Sequence, residues 1–357
     1  MSRAGDAHPI IEDAELDEPR ADEVRIRIVA TGICHTDLAC HDGAGVPIPR
    51  PIVLGHEGAG IVEDVGSAVT GLAVGDPVVL SGASCGECPK CQAGRPTYCR
   101  DAMKLTFGGA RRDGSSPLSQ AGESIRGMFF GQSSFATHVV APARSAVKVP
   151  DDVPLHLMGP LGCGIITGAG AVIEAFRLRP GESIVVFGVG SVGLAAVMAA
   201  RLAGASRIVA VDVSVERLRL AHMLGATEAI DSSAASGAVL REIEPDGFTY
   251  SFNTTNVADV FTTATECLAS EGTAGFVTRP SSPWAPNIAS VLASGRKIQG
   301  ILGGSAAPQI FIPRLIEYWR QGRFPFDRLI GVFPFEEIER AWQACKQGTV
   351  VKPVLKT

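Results

Sequence analysis

A thiol, an imidazole, a hydroxyl and a carboxylate stand side by side in the stretch TGICHTD, at Cys34, His35, Thr36 and Asp37. Two more stretches offer metal-binding donors: LGHEGAG carries His56 and Glu57, and GPLGCGIITG carries Cys163 between two glycines. Read alone, each has an ordinary explanation. A histidine between glycines is usually a hydrogen-bonded loop residue, and a single cysteine near a helix is usually a packing group. Read together, Cys34, His56 and Cys163 supply two thiolates and one imidazole, a donor set that holds zinc and leaves a fourth position open. A thiolate at Cys163 would also gain from the N-terminus of the helix it opens.

A second set is local. Cys85, Cys88, Cys91 and Cys99 follow the spacing C-x2-C-x2-C-x7-C on a loop containing Gly and Pro. Four thiolates so placed match a closed tetrahedral zinc site; an iron–sulfur cluster and four unrelated thiols are the competing readings. A site saturated by four protein ligands has no room for substrate, so its role is structural.

The third motif is SIVVFGVGSVG. An apolar strand runs into Gly188-Val189-Gly190-Ser191-Val192-Gly193 and then a helix of small residues. The strand RIVAVD follows and ends at Asp212, 19 residues beyond Gly193. Glycines allow the tight turn and close approach of backbone to a pyrophosphate, the helix N-terminus supplies N–H donors, and the carboxylate accepts from a ribose. Asp212 would repel a 2′-phosphate, which favours NAD over NADP. Arg217 tempers that choice, because a cation there helps the adenosine end of either cofactor. Beside an open zinc site, a dinucleotide implies alcohol/carbonyl redox chemistry.

These residues need scaffolds. The chain has 357 residues, 46% hydrophobic and 19% charged, which suits two globular domains. Its net charge of -5 and lack of a basic run argue against nucleic acid as a partner. No apolar segment reaches membrane-spanning length, and the opening MSRAGDAHPI lacks a secretory pattern, so a cytoplasmic protein is expected. Four of nine cysteines in one cluster favour metal binding over disulfides. To about residue 150, short β runs such as EVRIRIVA, AGIVEDVG, DPVVLSG and FATHVVAP predict a barrel-like domain. From about 180, SIVVFG, RIVAVD, TEAID, FTYSFN, GTAGFV and KIQGIL alternate with helix-length segments. That pattern predicts an α/β unit with a doubly wound parallel sheet. In SVERLRLAHMLGA, Leu218, Ala221 and Leu224 share a face before a Gly225 stop. In PFEEIERAWQACKQG, Ile338, Ala341, Trp342 and Cys345 do the same, and VVKPVLK closes as a strand.

GICHTD, LGHEGAG, the four-cysteine lobe, LGCGIITG and FGVGSVG, in that order, resemble the zinc-dependent medium-chain alcohol dehydrogenases over nearly the whole chain. GPLGCGIITGAGAV, FFGQSSFA and FIPRLIEYWRQGRFPFD are most similar to the aryl-alcohol (benzyl alcohol) branch. The resemblance implies a GroES-like catalytic domain over 1–164 and 303–357, with a zinc lobe near 82–100, and a Rossmann coenzyme domain over 165–302. It implies a catalytic zinc on Cys34, His56 and Cys163 and a structural zinc on the four lobe cysteines, two per chain. Glu57 becomes an alternate ligand or a neighbour of the ligands, and Asp37 orients His56. Thr36 handles the alcohol proton. His35 and Lys352 meet the cofactor pyrophosphate, and Val277 joins the cofactor set. Phe129 and Phe130 line an apolar, aryl-tolerant substrate pocket; simple core aromatics are the alternative. A primary aryl or allylic alcohol, its aldehyde and NAD are the expected small molecules. A homodimer or homotetramer, pairing through the KIQGIL edge, is the expected assembly.

Four departures from the resemblance stand out. Ala39 replaces the histidine that many relatives use to pass the proton out, leaving His41 or water. Thr278 and Arg279 replace small or apolar residues. Arg279 either points to solvent or meets an oxygen-rich substrate. Asn256 stands where glycine is frequent, and the usual first strand is shortened or absent. These motivate two other expectations: a biosynthetic reductase acting on an unusual carbonyl, and a non-catalytic NAD-binding redox sensor.

Overall fold

A computed structural model describes residues 1–357. It divides into two compact units: Met1–Cys163 with Ala307–Leu315 and Asp327–Thr357, and Gly164–Ala306 with Ile316–Phe326. The division falls within the helix Pro308–Arg320, so the tail from 303 onward does not belong to one domain as the sequence reading placed it. A uniform helical pattern carries no mark of which core each turn joins.

In chain order, the first unit starts with strands β1 (Glu15–Leu16) and β2 (Glu23–Gly32), helix α1 (His35–His41), β3 (Gly58–Val65) and β4 (Pro77–Leu80). Helices α2 (Pro89–Gln92) and α3 (Ala102–Phe107) follow, then β5 (Leu118–Gln120), β6 (Glu123–Ile125), β7 (His138–Pro142) and β8 (Ala146–Lys148). The second unit holds α4 (Gly164–Gly170), β9 (Ser183–Phe187), α5 (Ser191–Ala203), β10 (Arg207–Asp212), α6 (Val215–Leu224), β11 (Glu228–Asp231), α7 (Gly237–Ile243), β12 (Phe248–Asn253), α8 (Ala258–Glu266), β13 (Leu268–Phe276), α9 (Ile288–Ser294) and β14 (Lys297–Gly300). After α10 (Pro308–Arg320) the chain adds β15 (Ile330–Pro334), α11 (Ile338–Gln347) and β16 (Lys352–Lys356).

Strict alternation builds the main sheet of the first unit. In β2, Val24, Ile26, Ile28 and Ala30 are buried, while Arg25 and Arg27 point out to Glu18 and Glu63. Val24, Ile26 and Ile28 join Val62, Val78, Leu80 and Val139 in one core. The sheet order is β15-β16-β2-β3-β4-β8, with β7 also on β2. Expected to be short or missing, the first strand has two residues and sits in a separate sheet, β1-β5-β6. A buried bidentate pair, Arg111 to Glu23 at 2.7 and 3.0 Å, fastens the segment before β5 to the start of β2.

The second unit is a six-stranded parallel sheet in the order β11-β10-β9-β12-β13-β14. Central strand β9 is almost wholly apolar, as suits a strand covered on both faces; Ile184, Val185 and Val186 are all fully buried. Chain direction across the sheet reverses between β9 and β12. In such sheets the crevice beyond the carboxyl ends at that point is where nucleotides bind. Leu218, Ala221 and Leu224 are the buried face of α6, and Gly225 ends it with φ 127°. Edge strand β14 exposes Ile298. No helix is long and apolar enough to cross a membrane.

Candidate active site

The first donor set assembles around the end of β2. Cys34 is the N-cap of α1, and Asp37, three residues into the helix, closes a capping box by accepting the Cys34 N–H at 3.0 Å. Its other oxygen accepts the Gly55 N–H and His56 Nδ1–H, each at 3.0 Å. Three donors thus converge on a fully buried carboxylate, and the proton they fix on Nδ1 leaves Nε2 as the acceptor. That Nε2 is buried and has no hydrogen-bond partner. Ligand atoms of Cys34, His56, Glu57 and Cys163 all lie within 4.8 Å of one another. A lone acceptor among two thiols and a carboxylate fits a zinc ion.

Cys163 arrives from a tight turn, Gly159–Gly162. That turn presses on the end of β4 so closely that a Cβ on Gly162 would lie 1.9 Å from the Leu80 carbonyl oxygen. The Cys163 thiol and, beyond it, the Lys352 ammonium hold the Cys34 pKa well below that of an ordinary thiol, against the cost of burial. Cys163 moves the other way, raised by its contact with Cys34 and by burial. Burial disfavours a charged His56, yet Asp37 and Cys34 outweigh it and raise the imidazole pKa well above the usual value. The negative surround that favours a proton there favours a dication equally.

Lys352 differs from its expected place on a cofactor phosphate. It is enclosed on β16, where Nζ donates to Glu57 Oε1 at 2.9 Å and to the Ile33 carbonyl at 3.2 Å. Burial raises the Glu57 pKa, and the ammonium counters this. A carboxylate out of water recruits the nearest cation, which is why this lysine turns inward. Among the other residues of α1, His35 is exposed, Thr36 is half-buried, and Thr36 Oγ lies 3.8 Å from Cys34 Sγ. Both ring nitrogens of His41 are engaged by partners outside the donor set. Its Nε2 donates to the Asp6 carbonyl at 3.0 Å, its Nδ1 accepts from Ser2 at 2.7 Å, and its ring abuts Trp342 edge-on. Burial lowers its pKa.

The two adjacent phenylalanines part company. Phe129 is fully buried in the core and touches His56 edge-on, so the core alternative describes it. Phe130, with φ 53°, is half-buried and stacks flat on the imidazole, centroids 4.3 Å apart. Two residues escaped the sequence reading. Phe107 at the end of α3 meets Phe130 edge-on at 5.4 Å. Gln132 binds the backbone on either side of Glu57. Nothing in a polar GQSS run marks that glutamine.

The four lobe thiols also lie within 4.8 Å of one another, and no disulfide joins them. Backbone N–H groups of Cys85, Cys88, Arg100 and Asp101 point at the sulfurs of Cys99, Cys85, Cys88 and Cys99. Such donors stabilise thiolates. Those from Arg100 and Cys91 bring Cys88 down to about 6, whereas burial pushes Cys99 up to about 12. The arrangement fits a closed zinc site.

In the second unit, Gly188 turns with φ 81° at the end of β9, and Gly190 caps α5. A Cβ on Gly193 would stand 1.9 Å from the Gly188 carbonyl oxygen. Ser191 and Val192 open the helix, half-buried. Asp212 accepts from the Val189 N–H at 2.7 Å and the Ser214 N–H at 2.9 Å, which sets its carboxylate against the glycine turn. A guanidine nitrogen of Arg217 comes within 4.0 Å of where a Gly190 Cβ would be, so this cation also borders the turn. Val277 follows β13 and reaches the Asn253 carbonyl at 3.5 Å. Arg279 is exposed, and Asn256 accepts from the Ser281 N–H at 2.7 Å.

Residues 20–151 match the alcohol dehydrogenase GroES-like domain, and residues 191–318 match the zinc-binding dehydrogenase family. A geraniol dehydrogenase from Castellaniella defragrans is 46% identical over 97% of this chain and 93% of its own length. Among solved structures, an alcohol dehydrogenase zinc-binding domain protein from Burkholderia ambifaria is 47% identical with a TM-score of 0.93. It covers 96% of this chain and 94% of that one. The benzyl alcohol dehydrogenase of Acinetobacter calcoaceticus is 41% identical with a TM-score of 0.92, at the same coverage.

Proposed function

The chain belongs to the zinc-dependent medium-chain alcohol dehydrogenase family, and on that premise we propose that it interconverts a primary allylic or aryl alcohol and its aldehyde, using NAD and two zinc ions. The flat stacking of Phe130 on His56 carries the substrate reading. It sets a π face beside the donor set, where an alcohol with an adjacent π system gains contact that a saturated one lacks. Geraniol and benzyl alcohol, named in the relatives, share that chemistry.

Cys34, His56 and Cys163 would hold the catalytic zinc, with Glu57 restrained beside it by Lys352. When bound, zinc supplies Lewis acidity that lowers the pKa of the alcohol, and NAD supplies the hydride acceptor. Asp37 keeps the His56 proton on Nδ1, so Nε2 stays available as a donor atom. The Thr36 hydroxyl accepts the alcohol proton. With Ala39 unable to relay it and His41 engaged on both nitrogens, the proton passes from Thr36 to water. The lobe cysteines would hold the second zinc. Asp212 favours NAD by repelling a 2′-phosphate. A second copy of the chain pairs along β14, whose outer edge has no strand beside it. Nine free cysteines suit the reducing cytoplasm. An exposed Arg279 would suit a reductase of an unusual carbonyl; relatives named as a geraniol dehydrogenase and a probable alcohol dehydrogenase favour the simpler reaction.

The test is a paired screen, geraniol, cinnamyl alcohol and benzyl alcohol against hexanol, with NAD and with NADP. Allylic and aryl alcohols should exceed hexanol by about tenfold in kcat/KM. Preference for the saturated alcohol would overturn the substrate reading, and preference for NADP the cofactor reading.

A further inference from the structure

We propose that Gln132 is a positioning residue for the metal centre, holding His56 and Glu57 in place and tying them to the aromatic wall formed by Phe130. The inference rests on the metal reading of Cys34, His56 and Cys163.

Gln132 is fully buried, and both ends of its amide are used. Oε1 accepts the Gly58 N–H at 3.1 Å, while Nε2 donates to the His56 carbonyl at 3.1 Å and the Ser81 carbonyl at 3.4 Å. One side chain therefore spans the peptide groups flanking Glu57 and anchors them to the end of β4. An acceptor and a donor set this far apart need a neutral primary amide of this length. A carboxylate offers no donor, and a hydrocarbon leaves the buried backbone groups unpaired.

The turn bearing Gln132 is strained and tightly held. Phe130, Gly131 and Ser133 all have left-handed backbones, with φ of 53°, 72° and 47°. A bulky side chain rarely occupies that region, and such residues persist where neighbours over-determine them. Here the Ser133 hydroxyl donates to the Val53 carbonyl at 2.6 Å and accepts from the Phe129 N–H at 2.8 Å. Ser134 and Phe135 N–H groups bond the carbonyls of Gly55 and Leu54 at 2.9 and 3.0 Å, and Ser134 Oγ meets Thr31 Oγ at 2.8 Å. The left-handed bend aims the Phe130 ring at the imidazole face while Gln132, two residues on, grips the imidazole's own backbone. Asp37 fixes one edge of the His56 ring, Phe130 its face, and Gln132 its main chain. Metal ligand and substrate wall consequently shift together.

The experiment uses the full-length protein with cobalt in the catalytic site and zinc in the lobe. Gln132→Leu should change the visible absorption of the cobalt enzyme, speed metal loss to a chelator by roughly 10–100-fold, and raise KM for benzyl alcohol. Gln132→Asn, which keeps the amide but is one methylene short, should give smaller changes of the same kind and guards against a variant that does not fold. Ser134→Ala is the control. It removes a different anchor of the same turn and should lower Tm without altering the cobalt spectrum. If both Gln132 variants behave like Ser134→Ala, with a lower Tm but wild-type spectrum and metal loss, the positioning role is overturned. If the wild type takes up no metal beyond the lobe, the metal reading itself fails and this inference with it.

Discussion

Cys85, Cys88, Cys91 and Cys99 meet within a single loop, whereas Cys34, His56 and Cys163 are drawn from three segments far apart in the chain, yet in each cluster the donor atoms come within 4.8 Å. Their supports differ in the same way. The lobe sulfurs receive N–H groups from their own loop, at 3.2 to 3.5 Å. The other cluster depends on remote side chains: Asp37 on His56, Lys352 on Glu57, Gln132 on the backbone between them. A local cluster needs only its loop and its metal. A dispersed cluster needs the fold first, and in exchange it has mixed donors and an open position where chemistry is possible.

Removing one thiol from each cluster should expose that contrast most sharply. Cys163→Ala should lose one of two zinc ions and cut turnover by more than the roughly 100-fold that loss of an outer partner costs. Its Tm should stay within a few degrees of wild type, since β2 and β16 already hold the surrounding core. Cys91→Ala should lose the other zinc and unfold at lower temperature while keeping most of its turnover per folded molecule. Metal analysis alongside thermal melts reads both. Equal loss of turnover in the two variants would mean that the clusters are not separate in function.

Asp37→Asn should come next in size. An amide in place of the carboxylate offers one oxygen to the three donors of Cys34, Gly55 and His56, and turns its NH2 towards one of them. Zinc at the mixed site should be held about 10–100-fold more weakly, while the lobe zinc is unchanged. Competition with a chromophoric chelator, which resolves two release phases, measures this. A uniform weakening of both phases would show that Asp37 supports the fold and not the site.

The same contrast explains what was legible in the sequence. Close spacing made the lobe readable on its own, and period-two burial in EVRIRIVA and the FGVGSVG turn disclosed the two folds that carry the sites. Cys34, His56 and Cys163 became readable only as a set. What stayed hidden was decided by long-range geometry. Phe129 and Phe130 are identical neighbours until a left-handed backbone sends one ring into the core and leaves the other on the imidazole. Lys352 and His41 look available for cofactor and proton, but Glu57 claims the first, and the carbonyl of Asp6 with the hydroxyl of Ser2 claims the second. Gln132 acts on residues more than seventy positions earlier, and no local pattern reports that.

The smallest expected effect asks whether the clusters are wholly independent. Helix α3 starts just after Cys99 and ends at Phe107, whose ring meets Phe130 edge-on at 5.4 Å and Phe129 at 6.2 Å. Phe130 in turn lies on His56. One aromatic contact of this kind contributes about 0.5–1.5 kcal/mol, a factor of roughly 2–10. Phe107→Leu should therefore raise KM for benzyl alcohol by that factor and leave both zinc ions in place. If the lobe reaches the site by this route, Cys91→Ala should raise KM to the same extent, and combining it with Phe107→Leu should add nothing further. Additive effects would leave the lobe a support for the fold alone, with Phe107 acting only as part of the wall.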